Sequence, residues 1–177
     1  AYRDRTDEEV RDISFTAFRE GRWSAPVPVH HDNWELSGCP VNGPAIDAND
    51  DNVVVAWFTG AGDVPAVKVA FSSDAGTSFG EALRIDEGET IGRVGALMLD
   101  DRTALISWVE WQGADETLLV CHVTPNGCDR THRLAVNSEG NSINFPQIAS
   151  TPEGFYVAWT QPLPNGHDTI RMLRSPR

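Results

Sequence analysis

The sequence holds no apolar run approaching the roughly 20 residues that a membrane-spanning helix needs. It also has no charged segment leading into an apolar stretch that would read as a signal peptide. It opens on AYRD, without Met and inside what reads as a strand, which gives it the look of a segment cut from a longer protein. Positive charge is scarce: 14 Lys and Arg stand against 26 Asp and Glu, a formal net charge of -12. No Lys/Arg run offsets that field, so nucleic acid is not an expected partner, because the mean potential repels a phosphate backbone. The three cysteines, Cys39, Cys121 and Cys128, are an odd count that fits no disulfide framework. Cys121 and Cys128 flank the turn TPNG; they either pair across a hairpin, which needs their Cβ atoms within about 4.5 Å, or stay as buried free thiols. Cysteine usage leaves the compartment open. No long 3.6-residue periodicity occurs anywhere, which argues against a helical architecture.

What is present is enough apolar content, 40% of 177 residues, to bury one domain's core without metals or disulfides. That content is periodic. The segments VVVAWFT, ALISWVE and FYVAWTQ set Trp57, Trp108 and Trp159 at equal steps of 51 residues, and the same step relates Ile46, Leu97 and Ile148. Pro44, Gly95 and Pro146 follow it too, as do Val55, Ile106 and Val157. Each unit reads as four short strands separated by turn chemistry. The first complete unit gives strands at 43–48, 52–59, 67–73 and 81–86, and the second gives 93–99, 103–111, 117–124 and 130–137. The third runs 145–150, 155–161 and 168–174 and lacks its fourth strand. At the other end AYRDR matches a Trp-bearing second strand, VRDISFTAF a third and GRWSAPVPV a fourth, so a leading unit lacks its first. The chain therefore reads as a single repeat array, with a partial unit at 1–30, units at 43–86 and 93–137, and a partial unit at 145–177. Four-stranded antiparallel units with a period near 50 are the pattern of propeller blades, here about three and a half of them.

One turn carries its own fastening. Residues 72–79, SSDAGTSF, follow the apolar run VKVAF and read Ser-x-Asp-x-Gly-x-Ser-Phe. The Ser72 hydroxyl and the Asp74 carboxylate are placed to accept hydrogen bonds from the turn's own N–H groups. Gly76 can take φ > 0, and Phe79 can fold back onto the apolar layer. The segment PNGC occupies the same place in the second unit in degraded form. This turn resembles the Asp box of the sialidase superfamily of β-propellers. The resemblance implies an all-β fold, the C-terminal half of a six-bladed ring, with a carbohydrate ligand and a secreted or periplasmic location. It also implies that site residues lie where strand one begins and where strands two and three join, with the stapled turn on the opposite face.

On that arrangement the longest candidate binding loop is residues 30–42, with its His, Asp, Trp and Cys content. Asn42, Arg93 and Asn144 fall at equivalent positions just before their inner strands, and Arg93 there suits a ligand carboxylate or an acidic bridge between units. Arg3 and Arg5 lie near the same rim. Asp32 and Glu110 are the rim carboxylates that glycosidase chemistry would need about 5–10 Å apart. Trp34 and Trp111 break the 51-residue pattern and are candidates for stacking on a sugar ring. His30 and His31 point apart on an extended chain, so with Cys39 they make no metal set, and no cofactor motif is present. Cys39 reads as a buried structural thiol beside Pro40.

Sialidases use three arginines on the sugar carboxylate, a tyrosine nucleophile activated by a glutamate, and an aspartate acid/base. This chain has two tyrosines. Tyr156 reads as packing beside Trp159, and Tyr2 sits at the chain start. The family's Arg-Ile-Pro signature is absent. The expectation is a non-catalytic scaffold for glycan or protein ligands. The alternative is the second half of an exo-glycosidase whose other catalytic residues lie upstream. Incomplete end units also lead to the expectation of a homodimer or larger assembly, unless upstream residues complete the ring.

Overall fold

The computed structural model describes residues 1–137, 143–163 and 165–175. Among the described residues, four antiparallel sheets of three or four strands follow one another along the chain, with a two-stranded hairpin beside the first. Sheet one pairs β1 (Tyr2–Arg3), β2 (Ile13–Phe15) and β5 (Val27–His30), with a separate hairpin of β3 (Phe18–Arg19) and β4 (Arg22–Trp23) between them. Sheet two orders β6 (Ala45–Asn49), β7 (Asn52–Thr59), β8 (Ala66–Ser72) and β9 (Leu83–Arg84). Sheet three orders β10 (Thr90–Met98), β11 (Ala104–Gln112), β12 (Asp115–Thr124) and β13 (Gly127–Asn137). Sheet four has β14 (Gln147–Thr151), β15 (Gly154–Pro162) and β16 (Asp168–Ser175).

The sheets stack face to face, and this explains why their second strands are continuous apolar runs rather than alternating ones. Along β7, Val53, Val55 and Trp57 pack back onto Ile13, Phe15 and Val29 of sheet one. Val54 and Ala56, on the other face, join Met98, Ile106 and Trp108 of sheet three. Val109 and Leu118 then meet Val157 and Trp159 of sheet four. Each of the three repeated tryptophans thus packs into the layer shared with the preceding sheet, and the 51-residue step is the step from one sheet to the next.

Three differences from the expected elements have local causes. The strand expected at 81–86 shortens to Leu83–Arg84 because the Asp86 carboxylate, through Oδ1 at 2.6 Å, takes the Val67 N–H that a main-chain carbonyl would otherwise accept. The inner strand of sheet three starts at Thr90 rather than 93 because register shifts around Gly92 and Arg93, at φ +83° and +54°, let the ladder continue past the bulge. The segment at 18–23 forms its own hairpin because Glu20 and Gly21, at φ +51° and +80°, make a tight turn with the twist that adjacent strands need.

The structure pairs Cys121 with Cys128, their Cα atoms 6.0 Å apart across the β12–β13 hairpin. Cys39 corrects its expected burial: it lies exposed, on a loop that passes over the surface.

Candidate functional site

At the stapled turn, Ser72 Oγ accepts from the N–H groups of Gly76 (2.9 Å) and Asp74 (3.3 Å) and donates to Asp74 Oδ1 (2.7 Å). Asp74 accepts from Ser78 N at 2.9 Å and Ser78 Oγ at 2.7 Å. These donors, with the Ser78 hydroxyl first, hold the Asp74 carboxylate down at about 2, well below its ordinary 3.8. Gly76 has φ +80° and lies against the Phe15 ring, which in turn meets Phe79 edge-on at 5.5 Å. The motif therefore fastens sheet two to sheet one as well as closing its own turn.

At the inner-strand mouths, Asn42 and Arg93 act between sheets. Asn42 Oδ1 accepts from Arg93 N at 2.9 Å, and its Nδ2 donates to the Ile91 carbonyl at 2.9 Å. The left-handed backbone at Arg93 aims its guanidinium at Glu116 Oε2, 3.4 Å away, and at the Ile143 carbonyl. Glu116 Oε2 also accepts the Ile143 N–H at 2.7 Å, so one carboxylate and one guanidinium tie the entry to sheet four onto sheet three. Asn144, the third equivalent position, is exposed. Beside these mouths the inner strands bound a concavity of about 380 Å³ lined by Pro44, Ile46, Val94, Ala96, Phe145 and Gln147 among others.

Arg3 is enclosed. It donates to the carbonyls of Arg11, Phe58 (both 2.6 Å) and Asn42 (3.1 Å), and its guanidinium sits 4.8 Å over the Trp34 ring. Burial pushes it down to about 10, against the nearby Asp32 and Asp12 charges that raise it. Trp34 is half-buried between Arg3 and the edge of Phe58, 5.7 Å away. Its loop is pinned where Asp12 accepts the N–H groups of Asn33 and Trp34 at 3.1 and 3.2 Å. Arg5 is exposed and pairs with Glu9.

Asp32 and Glu110 are not brought together. The Asp32 side chain, 2% exposed, reaches the Trp57 layer between sheets one and two, where it accepts from Trp57 Nε1 and Lys68 Nζ, both at 2.6 Å. Glu110 lies buried in the layer between sheets two and three and accepts from Trp108 Nε1 at 2.9 Å and Gln112 Nε2 at 3.3 Å. The third tryptophan repeats the device: Trp159 Nε1 donates to Gln161 Oε1 at 3.2 Å. An acceptor two residues on thus serves Trp108 and Trp159. At the corresponding position the shorter Thr59 accepts the Ala61 N–H at 3.3 Å through its hydroxyl, and the loop residue Asp32 serves the Trp57 indole instead. Asp32's role was missed from sequence, yet the signal was there, since a buried indole whose unit lacks the acceptor must find one elsewhere.

Trp111 is 41% exposed at the end of β11, the one rim aromatic of the sequence pair with a free ring surface. His30 and His31 face different carboxylates, Asp32 at 3.7 Å and Asp12 at 3.9 Å. Tyr2 is exposed beside Arg3, and Tyr156 is half-buried on the outward side of β15, away from the Trp159 layer.

No family model matches the chain, and no curated protein matches it. Among solved structures it is similar to one titled Hadza microbial sialidase Hz136, with a TM-score of 0.56 at 15% identity over 96% of this chain. The chain spans 39% of the length of that structure. At this identity the likeness is one of fold, and the fold of this chain is sialidase-like and all-β.

Proposed function

We propose that this chain is a sialidase-type β-propeller segment of about three and a half blades whose rim is a scaffold for a glycan or protein ligand and is not catalytic on its own. The observation that carries this reading is the use made of the rim's charged side chains. Arg93 and Glu116 clamp sheet three to the entry of sheet four, Arg3 collects three main-chain carbonyls, and Asp32 and Glu110 each serve a core tryptophan. A group held in this way for packing has little freedom left to bind a carboxylate or move a proton to a substrate. Trp111, with its ring open to solvent, is the residue best suited to lie against a sugar face.

The second reading, one half of an exo-glycosidase completed by residues upstream, draws on the likeness to a sialidase of which this chain spans 39%. The two readings separate in solution. Incubation with umbelliferyl sialoside and neutral umbelliferyl glycosides is expected to release no fluorophore, while a glycan array is expected to show binding that Trp111→Ala removes. Fluorophore released by the 177-residue chain would overturn the scaffold reading.

A further inference from the structure

At the end that carries the stapled turn, sheets two and three finish differently. In sheet two the chain leaves the ladder after Ser72, Gly80 N returns to the Phe71 carbonyl at 2.9 Å, and regular pairing resumes only where Leu83 meets Val69. In sheet three the β12–β13 ladder runs out to Thr124 opposite Gly127, so Pro125 and Asn126 alone make the turn. Between the broad turn and the tight one lies a cavity of about 640 Å³, lined by Asn52, Phe71, Ser73, Phe79, Glu81 and Arg102 among others. It is larger than the concavity of about 380 Å³ beside the inner-strand mouths, and the two sheets that form it are interior to the chain. Its walls are fixed from three sides. Ser72, Asp74 and Ser78 staple the first. Asp100 Oδ1 closes the β10–β11 turn by accepting the Arg102 and Thr103 N–H groups, both at 2.8 Å, and Asn49 Nδ2 reaches across from sheet two to Asp101 Oδ1 at 2.9 Å. The Cys121–Cys128 disulfide ties the hairpin that forms the third.

The polar side chains in this cavity are uncommitted, which is the reverse of the rim. Among the described residues no hydrogen bond or ion pair engages the Asn52 amide, the Ser73 hydroxyl, the Glu81 carboxylate or the Arg102 guanidinium, whereas Arg3, Arg93, Asp32 and Glu110 are all taken up by their neighbours. We propose that the cavity is a second binding site and that it takes a neutral saccharide of one or two sugar residues. With one free guanidinium beside two carboxylates, Glu81 and Asp101, it does not suit a phosphate or another polyanion. A purely apolar ligand would leave its amide, hydroxyl and charged groups unpaired. Planar side chains such as Asn52, Glu81 and Arg102 each meet two neighbouring hydroxyls, and the Phe71 and Phe79 rings offer an apolar surface to the C–H face of a pyranose. A ligand that is uncharged, dense in hydroxyls and apolar on one face answers both halves of the lining. The fixed walls need little ordering when it binds, which lowers the entropic cost. The cavity and Trp111 lie at opposite ends of β11, so the inference does not depend on what the rim binds and stands if the scaffold reading fails.

Amide proton–nitrogen correlation spectra of the Trp111→Ala chain, titrated with maltose, cellobiose and lactose, test it with the rim aromatic removed. Binding of a disaccharide in one open cavity is weak, about millimolar, so saturation by at least one of the three sugars is expected by about 50 mM. The shifts should centre on the amides of Ser73, Ser78, Gly80 and Arg102. Glu81→Ala/Arg102→Ala removes two exposed side chains that hold no neighbour in place, so the double variant is expected to keep the spectrum of a folded chain and to bind at least about tenfold more weakly. No saturable shift with any of the three sugars would overturn the proposal, as would shifts that persist in the double variant at the same sugar concentrations. Saturation of the same amides by the dipeptide glycylphenylalanine, with the sugars silent, would overturn it too and make the cavity a site for a zwitterionic peptide.

Discussion

Replacing Gly76 with alanine probes the fastening of sheet two to sheet one at a single atom. At φ +80° an added Cβ enters the left-handed region, at about 1–2 kcal/mol for an L-residue. The same Cβ overlaps the Phe15 ring, whose Cδ1 would lie 2.8 Å away and two of whose other carbons would lie nearer. Phe15 cannot swing aside, being buried and set edge-on to Phe79, so the overlap adds about 1–3 kcal/mol of overpacking. Gly76→Ala is therefore expected to destabilise by about 2–5 kcal/mol in urea denaturation followed by tryptophan fluorescence. A Phe15→Ala background separates the two contributions. With the ring gone, Gly76→Ala should cost only its backbone share, and the cycle should show a coupling of about 1–3 kcal/mol. An equal penalty in both backgrounds, or no penalty at all, would refute the argument that Gly76 is required by the approach of sheet one.

The Asp74 carboxylate is held at about 2 against an ordinary 3.8, so its contribution is present above the ordinary value and lost as pH falls through the folded one. The melting-temperature gap between the parent and Asp74→Asn should therefore be constant near neutrality, narrow between about pH 4 and 2, and close below; a gap independent of pH would remove the charge from the account. Trp57, Trp108 and Trp159 are each buried against the preceding sheet, and truncation to alanine should cost roughly 3–5 kcal/mol by chemical denaturation. Iodide should quench Trp23 and Trp111 and leave those three dark to quencher; the reverse order would break the 51-residue alignment. Thr59→Gln would supply the indole acceptor that this unit lacks, and should relieve part of the loss caused by Asp32→Asn; no relief would mean that Asp32 acts through Lys68 instead.

The stack was legible in the sequence because it is built by translation: one strand pattern recurs at a fixed step, and the tryptophans mark it. Strand 52–59 is found within its expected limits because both of its faces are covered, so nearly every residue in it is apolar. The parts that were not legible depend on side chains replacing main-chain partners. Asp86 standing in for a ladder carbonyl shortens β9, and no pattern of hydrophobicity reports that. The rim was readable in position but not in use. The 51-residue register put Asn42 and Arg93 at equivalent places, yet whether a guanidinium there faces a ligand or a neighbouring sheet is decided by the left-handed backbone at Arg93 and by Glu116 on another strand. Trp34 read as a rim aromatic because its loop is long and polar, while Asp12, distant in sequence, pins that loop down and Arg3 covers the ring.

The thermal stability of Arg93→Ala, measured beside Glu116→Gln and the double variant, tests most directly whether the rim is a clamp. Arg93 reaches a buried carboxylate and the Ile143 carbonyl, so its removal should cost on the order of 2–3 kcal/mol. The double variant should fall short of the sum of the singles, because the two side chains act as one contact. An Arg93→Ala protein that melts like the parent, but no longer binds a carboxylate-bearing glycan that the parent binds, would contradict the account and make Arg93 a ligand residue.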